Sequence, residues 1–506
     1  MITQNIIGFQ LSAASGKHIH AANPDTLNTL PETFSVATAE ETDLAVVKAY
    51  EAFNIYRKIS GENKAAFLRE IAKGIEDLGH VLVDRIMQET AYPEARIITE
   101  RNRTCAQLRM FAEEAISGQW KQITTDPTLP DRTPVPRPEL HKMLVAIGPV
   151  VIFGASNFPL AYSTAGGDVA SALAVGCPVI VKAHESHLGT NALVAEVIME
   201  AARKTGMPDG VFSSLNGDGL HTGQRLVLHP LTAAVGFTGS KQGGRALFDL
   251  GQQRENPIPV FAEMGSVNPV FILPGKIRSE MNGLTGQLVS SMTLTVGQFC
   301  TNPGLLIVLK NQYTDYFISQ LSSALELIPE ASMLNTGIHK SFQHGVAAIR
   351  KVKGVIMIQD HQPSDGLRTK PVLATLPADV FLAHPQAHHE VFGPFSIVVL
   401  CEDMDEMHTI AAALEGQLTA TVQASDEELN EAHALIEILI HKAGRIIMNG
   451  VPTGVEVCAA MTHGGPYPAS TDSRFTAVGH HAVQRWLRPV SFQNFPPSLW
   501  TAMEYS

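Results

Sequence analysis

The stretch Ala233-Ala-Val-Gly-Phe237-Thr-Gly-Ser240-Lys-Gln-Gly-Gly244-Arg245-Ala-Leu-Phe-Asp-Leu250 decides the fold class of this 506-residue chain. Its apolar run over 233–237 breaks at Gly239 and Ser240 and gives way to helical spacing over 245–250, so it predicts strand, tight turn and helix in that order. Two more apolar runs lie upstream, at 150–153 and 179–181, with a Gly- and Ala-rich helix predicted between them over 166–175. Alternation of this kind predicts an α/β fold built on a doubly wound, parallel sheet. Ligands on such sheets sit outside the carboxyl ends of the strands, so those ends are where chemistry is expected.

Gly239, Ser240 and Gly244 follow one strand and open a helix, where backbone N–H groups and the helix dipole suit a pyrophosphate. The glycine spacing is not GxGxxG, and a ligand-free turn uses the same residues equally well. Lys182 and Glu185 end another strand; they read either as partners for ribose hydroxyls or as a solvated ion pair.

Upstream, Thr38-Ala-Glu-Glu41 is a capping box that starts a helix whose apolar face is expected to include Leu44, Val47 and the row Ala45, Ala49, Phe53. Phe67, Leu68, Ile71, Ile75 and Leu78 predict a second helix, and residues 94–116 a third. Five prolines within 126–138 predict an extended arm leading into a strand over 144–147, and 486–493 reads as a strand whose Pro489 suits an edge.

The formal net charge of -12 argues against nucleic acid and anionic membrane as partners, since both need a basic surface. Five cysteines without regular spacing fit neither a disulfide framework nor a zinc site, so no metal is expected and a reducing, cytoplasmic setting is. Residues 1–16 have no signal-peptide pattern, and no apolar stretch has the length of a membrane span. Cys177 and Cys401 sit on strand-like runs and Cys105 on a helix, which are ordinary core positions. Cys300 differs. Gly297-Gln-Phe-Cys300-Thr-Asn-Pro-Gly304 puts it in a turn between a helix-like run ending near 295 and an apolar strand over 305–308, where a thiol becomes a nucleophile given nearby donors and an acid/base partner.

Asn157-Phe-Pro-Leu160, Lys182-Ala-His-Glu185, Gly236-Phe-Thr-Gly-Ser240, Glu263-Met-Gly-Ser266, Gly297-Gln-Phe-Cys300 and Glu390-Val-Phe-Gly-Pro394 occur in the order and approximate spacing of the aldehyde dehydrogenase superfamily, which the chain resembles to about Pro489. Phe299-Cys-Thr-Asn-Pro-Gly304 and His463-Gly-Gly-Pro-Tyr-Pro-Ala-Ser-Thr471 resemble the branch of 2,5-dioxovalerate (α-ketoglutarate semialdehyde) and bacterial fatty aldehyde dehydrogenases.

The resemblance implies a Rossmann-like NAD(P)-binding domain (1–123 and 145–265), an α/β catalytic domain (266–478) and a small β oligomerisation arm (124–144 and 479–506), hence a homodimer or homotetramer. It implies Cys300 as nucleophile, Asn157 with the Cys300 N–H as oxyanion donors, Glu263 as the base that activates water, and His463 as a tuner of the thiol. For the cofactor it implies Lys182 and Glu185 on the adenosine ribose, Ser240 within the Gly239–Gly244 turn on the pyrophosphate, Glu390 on the nicotinamide ribose and Phe392 beside it. A carboxylate at Glu185 repels a 2'-phosphate, so NAD is expected ahead of NADP.

The expected reaction is oxidation of an aldehyde to an acid through a thiohemiacetal and a thioester, with 2,5-dioxovalerate as substrate and a long-chain fatty aldehyde as the alternative. A distant substrate carboxylate needs a cation or several donors, for which Arg109 and Ser163 are candidates. The small residues Ser163-Thr-Ala-Gly-Gly167 are expected to widen the pocket, and Cys458 to approach it. A thiol esterase leaves Lys182, Glu185, Ser240 and Glu390 unexplained, an acylating enzyme has no use for Glu263, and a noncatalytic role has none for Cys300.

Overall fold

A computed structural model describes residues 1–361 and 364–504, so the last two residues of the expected arm lie outside the described residues. Its first helix, Ala39–Tyr56, starts at a full capping box: Glu41 N–H donates to Thr38 Oγ1 at 3.1 Å and Thr38 N–H to Glu41 Oε2 at 2.8 Å. The face it buries is Ala45, Val46, Ala49 and Ala52, whereas Leu44 and Val47 are exposed. The small residues face inward because they let this helix lie close against the sheet. Helices Gly61–Asp77 and Glu94–Ser117 bury Phe67, Leu68, Ile71 and Ile75 against Cys105, Leu108 and Phe111. Glu94–Ser117 also carries Arg96, Glu100 and Arg103, which contact the segment 157–162.

The first large sheet has seven strands, in the spatial order Val260–Glu263, Ala234–Thr238, Val150–Phe153, Val179–Lys182, Phe212–Leu215, Asn5–Ile7 and Gln10–Ser12. The first five are parallel, Asn5–Ile7 runs antiparallel to them, and Gln10–Ser12 pairs antiparallel with Asn5–Ile7. Chain order reverses between Val150–Phe153 and Ala234–Thr238, so the loops after these two neighbours diverge and leave a crevice. Asn157 follows one of them, and Gly239 and Ser240 follow the other.

The second large sheet also has seven strands, in the order Ile356–Gln359, Val372–Pro377, Phe395–Cys401, Leu305–Leu309, Val270–Ile272, Gln417–Gln423 and Ala443–Met448. Only Ile356–Gln359 runs against its neighbour. Cys300 precedes Leu305–Leu309, and Glu390 and Phe392 precede Phe395–Cys401. The amino ends of this sheet therefore face the carboxyl ends of the first.

A small antiparallel sheet joins Thr124–Asp126, Leu140–Ala146 and Leu487–Gln493. Its middle strand begins four residues before the sequence suggests, at Leu140. Pro489 lies on an outer strand, opposite Leu144, where its missing N–H is tolerated. Trp486 is fully buried in the core and donates from its indole to Ser171 Oγ at 2.8 Å, so the strand starts only at Leu487. Among the described residues no helix is long and apolar enough to cross a membrane.

Candidate active site

The helix Pro274–Thr293 is followed, after Leu294, by three consecutive left-handed residues, Thr295, Val296 and Gly297. At Gly297 a Cβ would collide with the backbone of Gly393 and Pro394, so only glycine lets the two loops touch. The cysteine loop is then tied down by amides. Gln298 Oε1 accepts from Leu334 N–H at 2.9 Å, and Asn268 Nδ2 donates to the carbonyls of Cys300 and Asn302 at 2.8 and 2.9 Å. One N–H of the Asn157 amide donates to Gln298 O at 3.0 Å, and the amide has a second to offer. Asn157 is itself held: Arg96 Nη2 donates to its carbonyl at 2.9 Å while Arg96 Nη1 pairs with Glu100 at 2.6 Å. The same guanidinium lies over the rings of Phe158 and Phe299, which meet edge to face. The Asn157 and Cys300 segments are thus clamped to one helix.

Glu263 ends its strand beside the segment 469–471, which crosses it antiparallel through Met264 N–H to Ala469 O and Thr471 N–H to Ala262 O. This segment belongs to the motif that begins at His463, and it carries that ring to the thiol: Cys300 Sγ lies 3.7 Å from His463 Nε2. Glu263 is buried, its Oε2 has no partner, and burial pushes its carboxyl well above the usual range. Burial, reinforced by Glu390 and Glu263, pushes the Cys300 thiol up to about 12, with Arg103 opposing. Burial likewise drives His463 down to about 3, helped by Arg445 and Arg103. At neutral pH Cys300 is therefore an uncharged thiol and His463 a neutral imidazole, and burial favours the uncharged form of Glu263.

A cavity of about 350 Å³ joins Cys300, Asn157, Glu263 and His463 to Gly239, Ser240, Glu390 and Phe392. Ser240 caps the helix Lys241–Gln253, its Oγ accepting from Gly243 N–H at 3.2 Å, which leaves the first turn open toward the cavity. Glu390 reaches in from the second sheet over Gly265, where a Cβ would overlap its Oε2, and it is open to solvent through the cavity. Surrounding protein still raises its carboxyl to about 8.

The family model for the aldehyde dehydrogenase family matches residues 11–489. The chain belongs to the aldehyde dehydrogenase family. It is 46% identical over 496 residues to alpha-ketoglutaric semialdehyde dehydrogenase 2 of Azospirillum brasilense, covering 98% of this chain and 94% of that one. It is 43% identical over 493 residues to alpha-ketoglutaric semialdehyde dehydrogenase of Acinetobacter baylyi, with 97% and 93% covered. Among solved structures, betaine aldehyde dehydrogenase of Staphylococcus aureus, in complex with NAD+, superposes with a TM-score of 0.84 at 20% identity, covering 98% of this chain and 95% of that one. A 1-pyrroline-5-carboxylate dehydrogenase gives 0.83 at 19%, with 97% and 92% covered, so the fold is that of these enzymes. As a member of the family, the protein is an oxidoreductase that acts on aldehydes with NAD(P).

The residues of this aldehyde dehydrogenase fit such a cofactor. An open helix N-terminus suits a pyrophosphate, and the acid Glu390 at the far end of the same cavity is a hydrogen-bonding group for ribose hydroxyls. Lys182 and Glu185 stand apart at a neighbouring strand end, 4.0 Å from each other, the lysine buried and the carboxylate exposed. Gly244 does not reach the cavity. A Cβ there would strike Met264 and Ala262, so its smallness serves packing of the helix on the strand.

Three expectations about the substrate side fail on geometry. Arg109 forms a two-pronged pair with Glu76 on the outer surface, at 2.8 and 2.6 Å. Ser163 is buried against Gly154, and Ala161 packs on Gly166, so the stretch 163–167 widens nothing. Tyr162 instead faces the thiol side, its ring centroid 6.0 Å from that of His463. The sequence reading missed Arg103 and Arg445, which lie in no motif, and Asn335 to Ser341 at the start of Thr336–Arg350, where only the N-cap pattern Asn335-Thr-Gly337 offers a signal.

Proposed function

We propose that this aldehyde dehydrogenase oxidises 2,5-dioxovalerate, the semialdehyde of 2-oxoglutarate, to 2-oxoglutarate, with NAD preferred to NADP. The observation that carries the reading is the convergence of Cys300 Sγ, the Asn157 amide and the unpartnered Glu263 carboxyl on one cavity whose other end is an open helix N-terminus. The substrate follows from likeness to two relatives named for it across nearly their whole lengths.

In this mechanism Cys300 gives its proton to solvent hydroxide, and the thiolate attacks the aldehyde carbon; the C=O π pair moves onto oxygen, giving a thiohemiacetal alkoxide. The second N–H of Asn157 and the Cys300 N–H hold that charge. The cavity beside Cys300, with Ser240 and Glu390 along it, would hold a nicotinamide cofactor, which would supply the acceptor for the hydride leaving that carbon. Re-formation of the carbonyl then leaves a thioester on Cys300. Glu263, as carboxylate, takes a proton from water, the oxygen attacks the thioester, and the thiolate departs with the acid released. Burial makes Glu263 a stronger base once ionised and keeps Cys300 a thiol at rest, so turnover rises with pH through the alkaline range. His463, neutral, serves as a hydrogen-bond partner of the sulfur rather than as a store for its proton.

Glu185 supports NAD because its carboxylate, beside Lys182, disfavours a 2'-phosphate. The domain division stated above stays our reading, with the three-stranded sheet as the arm of a homodimer or a pair of dimers. Its outer strands present open edges, and Trp500 stacks on His141 with centroids 4.1 Å apart. Five free cysteines suit a reducing cytoplasm.

The deciding experiment follows NADH absorbance with 2,5-dioxovalerate and, in parallel, a long-chain aldehyde. Faster use of the dioxo acid is expected. Faster use of the long chain overturns the substrate, and a failure of both NAD and NADP to support either overturns the reaction.

A further inference from the structure

We propose that Arg103 and Arg445 form a two-arginine wall on the side of Cys300 away from the cofactor cavity and receive the carboxylate of an α-keto acid semialdehyde. The proposal rests on the substrate reading above and names the part of the chain that would read the acid.

Arg103 comes from the helix Glu94–Ser117 and Arg445 from the outer strand Ala443–Met448 of the second sheet. One loop brings them together. Arg103 Nη1 donates to Val455 O at 2.8 Å and Arg445 Nη1 donates to Gly454 O at 2.8 Å, so two guanidinium groups hang from successive carbonyls. Arg445 Nη2 also donates to Pro452 O. Arg103 Nη2 meets the Tyr162 hydroxyl at 3.2 Å. From there the path to the sulfur is short: Tyr162 faces His463, and His463 Nε2 is 3.7 Å from Sγ.

Neither arginine forms an ion pair among the described residues, although both are partly buried. Two other arginines near the site do pair, Arg96 with Glu100 at 2.6 Å and Arg485 with Asp168 at 2.6 Å. Arg103 Nε, moreover, is buried with no partner. Two partly buried cations held on one loop without a carboxylate beside them favour an anion that binds both. Carbonyls hold the guanidinium groups without neutralising them, which leaves their charge for a ligand. Burial pulls Arg445 down from its ordinary range while Cys300 and Tyr162 oppose, so this charge faces the reacting centre. The chain as a whole is acidic, at -12, and an anionic substrate gains from local attraction of this kind. A plain alkyl tail gains nothing from it.

The test compares 2,5-dioxovalerate with pentanal, an uncharged aldehyde of the same carbon count, in wild type, Arg103→Gln, Arg445→Gln and Arg445→Lys, with thermal melts to check folding. Each Gln variant is expected to lower kcat/KM for the acid by about 100-fold more than for pentanal, chiefly through KM, and Lys to recover part of it. Cofactor-free protein is titrated with 2-oxoglutarate, whose binding should weaken in step. Equal losses on both aldehydes, or a preference for the acid that survives both Gln substitutions, overturns the wall while leaving the substrate reading intact. A wild type that prefers pentanal overturns the substrate reading itself.

Discussion

The two sides of Cys300 are built differently. On the cofactor side the cavity is lined by contiguous pieces of chain: Thr238, Gly239 and Ser240 from one strand end, Glu263, Met264 and Gly265 from the next, Glu390 and Phe392 from a third. On the other side the wall is assembled from single residues far apart in sequence: Arg103 on an early helix, Tyr162 after the Asn157 turn, Arg445 on the outer strand of the second sheet and His463 beyond it. A ligand that is always the same can be held by backbone at fixed strand ends. A substrate that differs from enzyme to enzyme is read by side chains, which change one at a time without disturbing the sheets.

The strongest way to break this comparison is at the divide. Cys300→Ala should abolish NADH formation, at least ~10³-fold, while protein fluorescence still reports cofactor binding. Retained turnover would mean the thiol is not the nucleophile. Glu263→Gln should cost roughly 10²–10⁴-fold in steady-state rate but leave a burst of NADH near one equivalent per site, because acylation precedes the need for the base. No burst would move Glu263 to the first half-reaction.

His463 tests the substrate side through pH. Its folded pKa, about 3, is below the ordinary 6.5, so the unfolded chain takes up a proton first as pH falls. The folded state then loses stability between pH 6.5 and 3, by about 2 kcal/mol at pH 5, and His463→Gln should flatten that part of the stability curve against wild type. An unchanged slope would mean the imidazole is solvated. The smallest effect is expected at the far end of the cofactor: Glu185→Ser should raise kcat/KM for NADP relative to NAD by roughly tenfold, by removing a charge that stands against a phosphate. A ratio that stays fixed would put cofactor choice elsewhere.

Legibility in the sequence follows the same divide. The apolar runs at 150–153 and 179–181 and the turn after 237 were readable because a parallel strand is buried on both faces and its end must turn at once. Apolar spacing puts Leu44 and Val47 on the same inward face as Ala45 and Ala49; the two alanines are buried and the two larger residues are exposed, since close approach to the sheet favours small side chains. Gly244 read as part of a phosphate turn and is a packing glycine, a distinction that depends on Met264 and Ala262, side chains about twenty residues away. Arg109 and Arg103 are six residues apart on one helix, and nothing local separates them. Glu76 on the adjoining helix claims the first, and the loop at Val455 claims the second.

The sequence by itself determined the alternation of strands and helices, the capped helix start at Thr38, the cysteine turn and the residues that stand at strand ends, because each of these is written within a few neighbouring residues. The tertiary structure decided that Glu263 Oε2 lacks a partner, which way burial moves Cys300, Glu263 and His463 from their ordinary pKa values, and that Arg103 and Arg445 meet on one loop without a counterion. These are properties of surroundings: desolvation and ion pairing are set by atoms brought close in space, and those atoms come from segments hundreds of residues apart.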